Sequence, residues 1–379
     1  MRTILLIDDK EEFLDALKAE LKSRLEGKAQ ILTWMPCRMD LPSQRFEELL
    51  NGNDIRLVVT DYDLTEQGQL GFFGATVVDW CQNRGIPVGD FSRGNASSLA
   101  QEPNLFELRV PVGSNDAAAN YIAAVFSGFT AIRDAIDADD ALLSQRSPAA
   151  ALALMLGAKG MESQFSQYGI RYGGANSALI DRFAETAPES VKPAKEKKAA
   201  LLSYIMGHLL HNAILRFPGP IMTAEALSAY LAVDRSDESN YLAAFASARY
   251  SGPFSSLDAY YWTPLVDEVL TGFDSMVSDS EQYSSTGAYN RARLEAGLKR
   301  TLARPGTCPR CGGSSVDFFV PSPTGPSANA PIVRSFQTFG FRRVHACVAS
   351  SAISTTSGRP SWECDGHDAD RAAGATTPR

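Results

Sequence analysis

The residues of this chain best suited to chemistry are aspartates that close apolar runs. Ile4-Leu5-Leu6-Ile7 ends in Asp8-Asp9, and Leu57-Val58-Val59-Thr60 ends in Asp61-Tyr62-Asp63-Leu64. Short β-branched runs of this kind suit buried strands of a parallel sheet. Open α/β sheets gather ligands at the carboxyl ends of their strands. Two such strands side by side would bring Asp8, Asp9, Asp61 and Asp63 around one point. Carboxylates that close repel one another unless a cation sits among them, and an all-oxygen donor set suits Mg²⁺. The expected chemistry is on a phosphoryl group.

The runs Ile4–Asp9 and Leu57–Leu64 resemble the first and third strands of a response-regulator receiver domain, the phospho-acceptor module of two-component signalling. Gly85-Ile86-Pro87-Val88-Gly89-Asp90-Phe91-Ser92 resembles the fourth strand, which ends in Ser or Thr. The resemblance covers roughly residues 1–137. It implies that Asp61 is the phospho-acceptor, that Asp8 and Asp9 are the acidic pair holding Mg²⁺, and that Ser92 supplies the hydroxyl that senses the phosphoryl group. At the fifth strand, Phe106-Glu107-Leu108-Arg109-Val110-Pro111, the chain departs from the pattern. Receivers carry a lysine before the proline, whereas this chain has Val110, with Arg109 beside it. Arginine does not replace a lysine that acts as a compact point charge. Two expectations follow: a receiver phosphorylated on Asp61, or a pseudo-receiver that docks partners. Asp61-Tyr62-Asp63-Leu64-Thr65 also fits the DxDxT box of haloacid-dehalogenase-like phosphatases, in which the first aspartate is a nucleophile. That box follows the first strand of its fold, and here a strand and a helix precede it.

Near the other end, Cys308-Pro309-Arg310-Cys311-Gly312-Gly313 looks like the first knuckle of a zinc ribbon. Tetrahedral zinc needs two further ligands. Cys364 and His367 are the preferred pair, because their two-residue gap matches knuckle geometry. His345 and Cys347 are the alternative. Pro321–Pro331 and Asp368–Arg379 are rich in small and polar residues, so much of this end has little with which to build a core.

Length and charge set the frame. A chain of 379 residues with 44 % hydrophobic and 21 % charged residues is globular material for two or three domains. It has no apolar run long enough to span a bilayer and opens on a strand rather than a leader, so a cytoplasmic protein without membrane contact is expected. Cys37 and Cys81 stand alone as structural thiols. The net charge is −8, yet residues 288–379 hold twelve Lys/Arg against six Asp/Glu. The acidic bulk argues against nucleic acid as a partner of the first two thirds. The basic last third leaves it open.

The elements that must position these residues read as follows. Glu11–Leu25 is an amphipathic helix, with Phe13, Leu14, Leu17, Leu21 and Leu25 on one stripe. Helices are also expected over Phe46–Leu50, Ala75–Arg84, Asp116–Ile136, Pro148–Tyr168, Ser177–Thr186 and Lys195–Phe217. The last of these carries His208 and His211 on one face. That spacing can hold a metal, but with no acid nearby these are expected to be core histidines. Further helices are expected over Ala224–Ala232, Asn240–Arg249, Pro264–Phe273 and Ala288–Ala303. Met222–Tyr250 loosely resembles a helix-turn-helix DNA reader. Its turn lacks a glycine, with Ala232 in its place, and its second helix opens on Asp237-Glu238, which phosphates would repel.

The resulting architecture is an α/β receiver-like domain with a flavodoxin-like parallel sheet (1–137), a mostly α-helical effector domain (138–303) and a small, partly disordered zinc-knuckle tail (304–379). The expected function is two-component-type signalling, in which the receiver-like domain controls the helical domain. A sensor histidine kinase or another signalling protein is the expected partner, and a homodimer is compatible with the reading. The alternatives are a pseudo-receiver transcription regulator and a phage-defence or stress effector.

Overall fold

The computed structural model describes residues 1–36, 41–65, 72–91, 106, 108–111, 113–170, 192–277, 283 and 285–305, and the backbone of 347–350 and 361–364. It divides into two compact units, Met1–Ile221 with Tyr250–Tyr260, and Met222–Arg249 with Tyr261–Arg379.

The first unit is built on a five-stranded parallel sheet. Its strands are β1 (Arg2–Ile7), β2 (Gln30–Trp34), β3 (Asp54–Asp61), β4 (Val88–Phe91) and β5 (Leu108–Arg109). Their spatial order, β2-β1-β3-β4-β5, is the doubly wound, flavodoxin-like order. Side chains alternate across a strand, so Leu5, Ile7 and Val58 share one face. There they join Phe46, Phe72, Val77 and Cys81 in a buried cluster. Helices α1 (Glu11–Leu25), α2 (Pro42–Gly52), α3 (Gly74–Gln82) and α4 (Asn115–Ala138) complete the wrap. The expected stripe on α1 buries Leu14, Leu17, Leu21 and Leu25, and α1 packs against α4. Ser114 caps α4, its hydroxyl accepting the Ala117 N–H at 3.1 Å.

Between β1 and β3 the ladder carries one irregularity. Thr3 pairs with Ile55, but Ile4 pairs with Leu57, so Arg56 is the extra residue of a bulge. Beyond it the pairs run on regularly to Ile7 opposite Thr60.

The first unit continues as helices: α5 (Asp140–Leu143), α6 (Pro148–Met155), α7 (Glu162–Ile170) and α8 (Lys192–His208). The expected single helix over Pro148–Tyr168 is broken. Gly157 and Gly160 take φ of +69° and +93°, a backbone no helix can carry. The helix expected over Ser177–Thr186 lies outside the described residues. α8 packs along α4 and continues as a π-helix over Leu209–Ile214. The second unit holds α9 (Ala224–Tyr230), α10 (Glu238–Tyr241) between two 3₁₀ turns, α11 (Thr263–Thr271) and α12 (Thr286–Leu298). Strands β6 (Ile221–Thr223) and β7 (Tyr260–Trp262) pair with each other, and β8 (Cys347–Ser350) pairs with β9 (Ser361–Cys364). Among the described residues no helix is long and apolar enough to cross a membrane.

The two histidines sit in the core of the first unit. His208 is fully buried among the rings of Phe106, Phe129 and Tyr204. Asn212 links it to its neighbour, lying 3.2 Å from His208 Nδ1 and 2.6 Å from His211 Nδ1. His211 Nε2 lies 3.4 Å from the Tyr121 hydroxyl. Burial first, opposed by the Asn212 hydrogen bond and reinforced by the Arg216 charge, pushes His211 down from 6.5 to about 4. The folded state thus keeps this ring neutral where the unfolded chain protonates it. The stability it contributes is complete above pH 6.5 and is lost as pH falls toward 4. The loss is up to about 3 kcal/mol. Thermal melts across that window are expected to fall more steeply for the native chain than for His211→Gln. Parallel slopes would show that this ring does not titrate in the fold.

Candidate acidic site

Two parallel strands that end together put their following residues side by side. Asp8 and Asp9 follow β1, and Asp61 is the last residue of β3. One oxygen from each lies within 4.8 Å of the others, and they are the group of acids among the described residues that could hold a cation. Asp8 and Asp9 are 2 % and 1 % exposed, and Asp61 is 9 % exposed. The place is the crevice at the carboxyl edge of the sheet, at the β1/β3 switch point where doubly wound folds bind ligands.

Backbone groups orient these carboxylates. Asp8 Oδ1 accepts the Lys10 N–H at 2.8 Å. Asp61 Oδ1 accepts the Tyr62 N–H at 2.8 Å. The chain beyond Asp61 folds back on itself. Asp63 bridges Phe73, and the Gly74 N–H donates to the Tyr62 carbonyl at 2.9 Å. This return holds the first turn of α3 so close that a side chain at Gly74 would overlap the Asp61 carbonyl oxygen. Glycine is required there by proximity, not by its dihedral angles.

Asp63 does not join the group. It is exposed, and its Oδ1 takes the Thr65 N–H at 3.1 Å and the Thr65 hydroxyl at 2.6 Å. That is a local Asx turn, the ordinary use of aspartate in a loop. Ser92 lies outside the described residues. Val110 is 5 % exposed, and its N–H donates to the Asp90 carbonyl at 3.1 Å. Its methyl covers Gly89, where an added Cβ would meet it at 2.9 Å. The position is an apolar lid on β4. Arg109 is exposed, at the register position opposite Asp90.

The other predicted site residues fall elsewhere. Cys308, Cys311, His345 and His367 lie outside the described residues, as does Cys37. Cys347 and Cys364 occupy directly opposed positions of the antiparallel β8–β9 pair. Cys81 is fully buried, and burial pushes its thiol far above the ordinary range, as expected of a structural cysteine. Sequence reasoning missed Gly74, although a glycine thirteen residues beyond Asp61, opening a helix, was a usable signal of close approach. No family model matches the chain, and no curated protein or solved structure matches it.

Proposed function

We propose that the acidic site is a phosphoryl-acceptor site with Asp61 as the nucleophile. The observation that carries the reading is the convergence of Asp8, Asp9 and Asp61 within 4.8 Å at the carboxyl edge of the sheet. Asp61 is the most exposed of the three, at 9 %. Its carboxylate attacks phosphorus, forming an O–P bond as the bond to the donor's leaving group breaks, and the leaving group departs with the electron pair. The Tyr62 N–H orients the attacking carboxylate, and the loop return at Gly74 fixes the backbone that carries it. Three carboxylates this close, two of them almost wholly buried, fit a hard cation. Asp8, Asp9 and Asp61 would hold Mg²⁺, which when bound offsets the charge of the phosphoryl oxygens. Asp63 has no part in this set. A sensor histidine kinase or a small phosphoryl donor would supply the group. The protein would then be a signalling component whose receiver-like sheet controls the helical part of the chain, with α4 packed on both α1 and α8 as the connecting element.

Acetyl phosphate with Mg²⁺ is expected to label the chain on Asp61. Asp61→Asn should abolish labelling, and Asp9→Asn should lower it on the order of 10-fold or more. Gly74→Ala should also lower labelling, by displacing the Asp61 backbone. If intact protein stays unlabelled under conditions that label an ordinary receiver, the pocket is a docking surface and not an acceptor.

We propose also that Cys308 and Cys311 hold zinc together with Cys347 and Cys364. What supports this reading is the register, which sets Cys347 opposite Cys364 in the antiparallel pair, and tetrahedral zinc takes four such ligands. This assignment replaces the pair Cys364 and His367 with one ligand from each strand. Reduced protein is expected to carry about one zinc per chain. Cys347→Ala and Cys364→Ala should each lower that content, and His367→Ala should not. Zinc lost in His367→Ala but kept in Cys347→Ala would restore the original pair.

A further inference from the structure

The amino edge of the five-stranded sheet, at the other end of the strands from the acidic site, carries a cleft of about 160 Å³. Its walls come from the start of β3, the turn that leads into β4, and residues of α4 and α8. Three arginines border it: Arg56, Arg84 and Arg133. They stand on three separate elements. Arg56 is the bulge residue of β3, and a bulge re-aims the side chain it carries. Arg84 belongs to the turn after α3, and Arg133 to the last turns of α4. Gly85 approaches α8 so closely that a Cβ there would meet the Ala200 backbone at 3.0 Å, which fixes the wall beside Arg84. Ile86, Pro87 and Phe129 give the cleft an apolar side.

Each arginine has a carboxylate beside it, and the geometry of these pairs decides which donors are left over. Asp54 takes Arg56 through Nε at 2.6 Å and Nη2 at 3.2 Å. Glu47 takes Nη2 of Arg84, whose Nη1 donates to the Trp80 carbonyl at 2.9 Å. Asp137, one helical turn on, takes Arg133 through Nε alone, at 2.9 and 3.1 Å. Both Nη groups of Arg133 and Nη1 of Arg56 have no hydrogen-bond partner among the described residues. The three arginine side chains are 16–35 % exposed, whereas their carboxylates are 44–48 % exposed. Of these acids only Asp54 borders the cleft. Carboxylates this open to water hold their partners weakly, so guanidinium charge and free N–H groups remain on the more enclosed side.

We propose that this cleft binds the phosphate group of a small ligand. The Nη groups of Arg133 and Nη1 of Arg56 donate to its oxygens, and Arg84 adds positive charge at the rim. A planar carboxylate is satisfied by one guanidinium fork. The oxygens of a phosphate point in several directions and take donors from more than one side, which suits arginines carried by three elements. The apolar side formed by Ile86, Pro87 and Phe129 receives the rest of the ligand, as in most small-molecule sites. Asp54 is the competitor, because it occupies part of the Arg56 fork. The proposal does not rest on the phospho-acceptor reading, since the acidic site lies at the other edge of the sheet and needs a divalent cation.

The test is calorimetric titration of the full-length Asp61→Asn chain with inorganic phosphate and with pyrophosphate, at constant ionic strength. Divalent metal is removed, which keeps the acidic site out of the measurement. Saturable binding at a single site is expected. Arg133→Gln should weaken it about 10-fold or more. Asp54→Asn releases the Arg56 fork and should tighten binding about 3-fold. Arg45→Gln removes an exposed arginine of α2 that does not border the cleft, and should leave the affinity unchanged. Absence of saturable binding by either anion overturns the proposal. So does equal affinity in a folded Arg133→Gln chain, unchanged or weaker binding in Asp54→Asn, or a loss in Arg45→Gln as large as that in Arg133→Gln. Acetate bound as tightly as phosphate would overturn the assignment of the ligand class.

Discussion

The register between β1 and β3 is the constraint on which the rest of the first unit depends. Parallel strands of unequal entry would ordinarily run out at different levels. Here one extra residue in β3, Arg56, lets the ladder reset before it reaches the carboxyl edge. Ile7 and Thr60 then end the pairing together, and the next residues of both strands are aspartates. A slip of one residue would turn the following side chain to the opposite face of the sheet. It would separate Asp61 from Asp8 and Asp9 and expose the apolar set that holds α2 and α3. Packing and site geometry are therefore enforced by the same pairing.

Around that edge the chain spends its small residues where backbone must come close. Gly74 lets α3 begin against the end of β3, and Gly89 makes room for the Val110 methyl. The second choice has a chemical side. Where receivers present a cationic amine, this chain seals the sheet with an apolar lid.

Much of the sheet was legible because buried parallel strands leave short β-branched runs bounded by Asp, Gly and Pro, as at Ile4–Asp9 and Gly85–Phe91. β2 was not legible: Gln30–Trp34 is an edge strand with one exposed and two half-buried positions, and nothing in its pattern separates it from a loop. Of the four aspartates read as one cluster, three converge. Asp63 could not be told apart by type, because the hydroxyl that captures it, two residues on, is a local competitor that periodicity does not reveal.

The π-helical turn after α8 has a consequence for how this segment tolerates change. Such a turn is an α-helix carrying one residue more than its pitch requires. Removing a single residue from Leu209–Ile214 would leave a continuous, well-bonded helix, so secondary structure would register almost nothing. Each residue accounts for about 100° of helical rotation, however, and everything beyond the deletion would present a different side to α4. The aromatic nest that holds His208 and the contacts of His211 would no longer belong to one surface. Insertions and deletions here are thus invisible to helix content yet disruptive to packing, which makes the length of this turn, more than its composition, the quantity that relatives of this chain would have to keep.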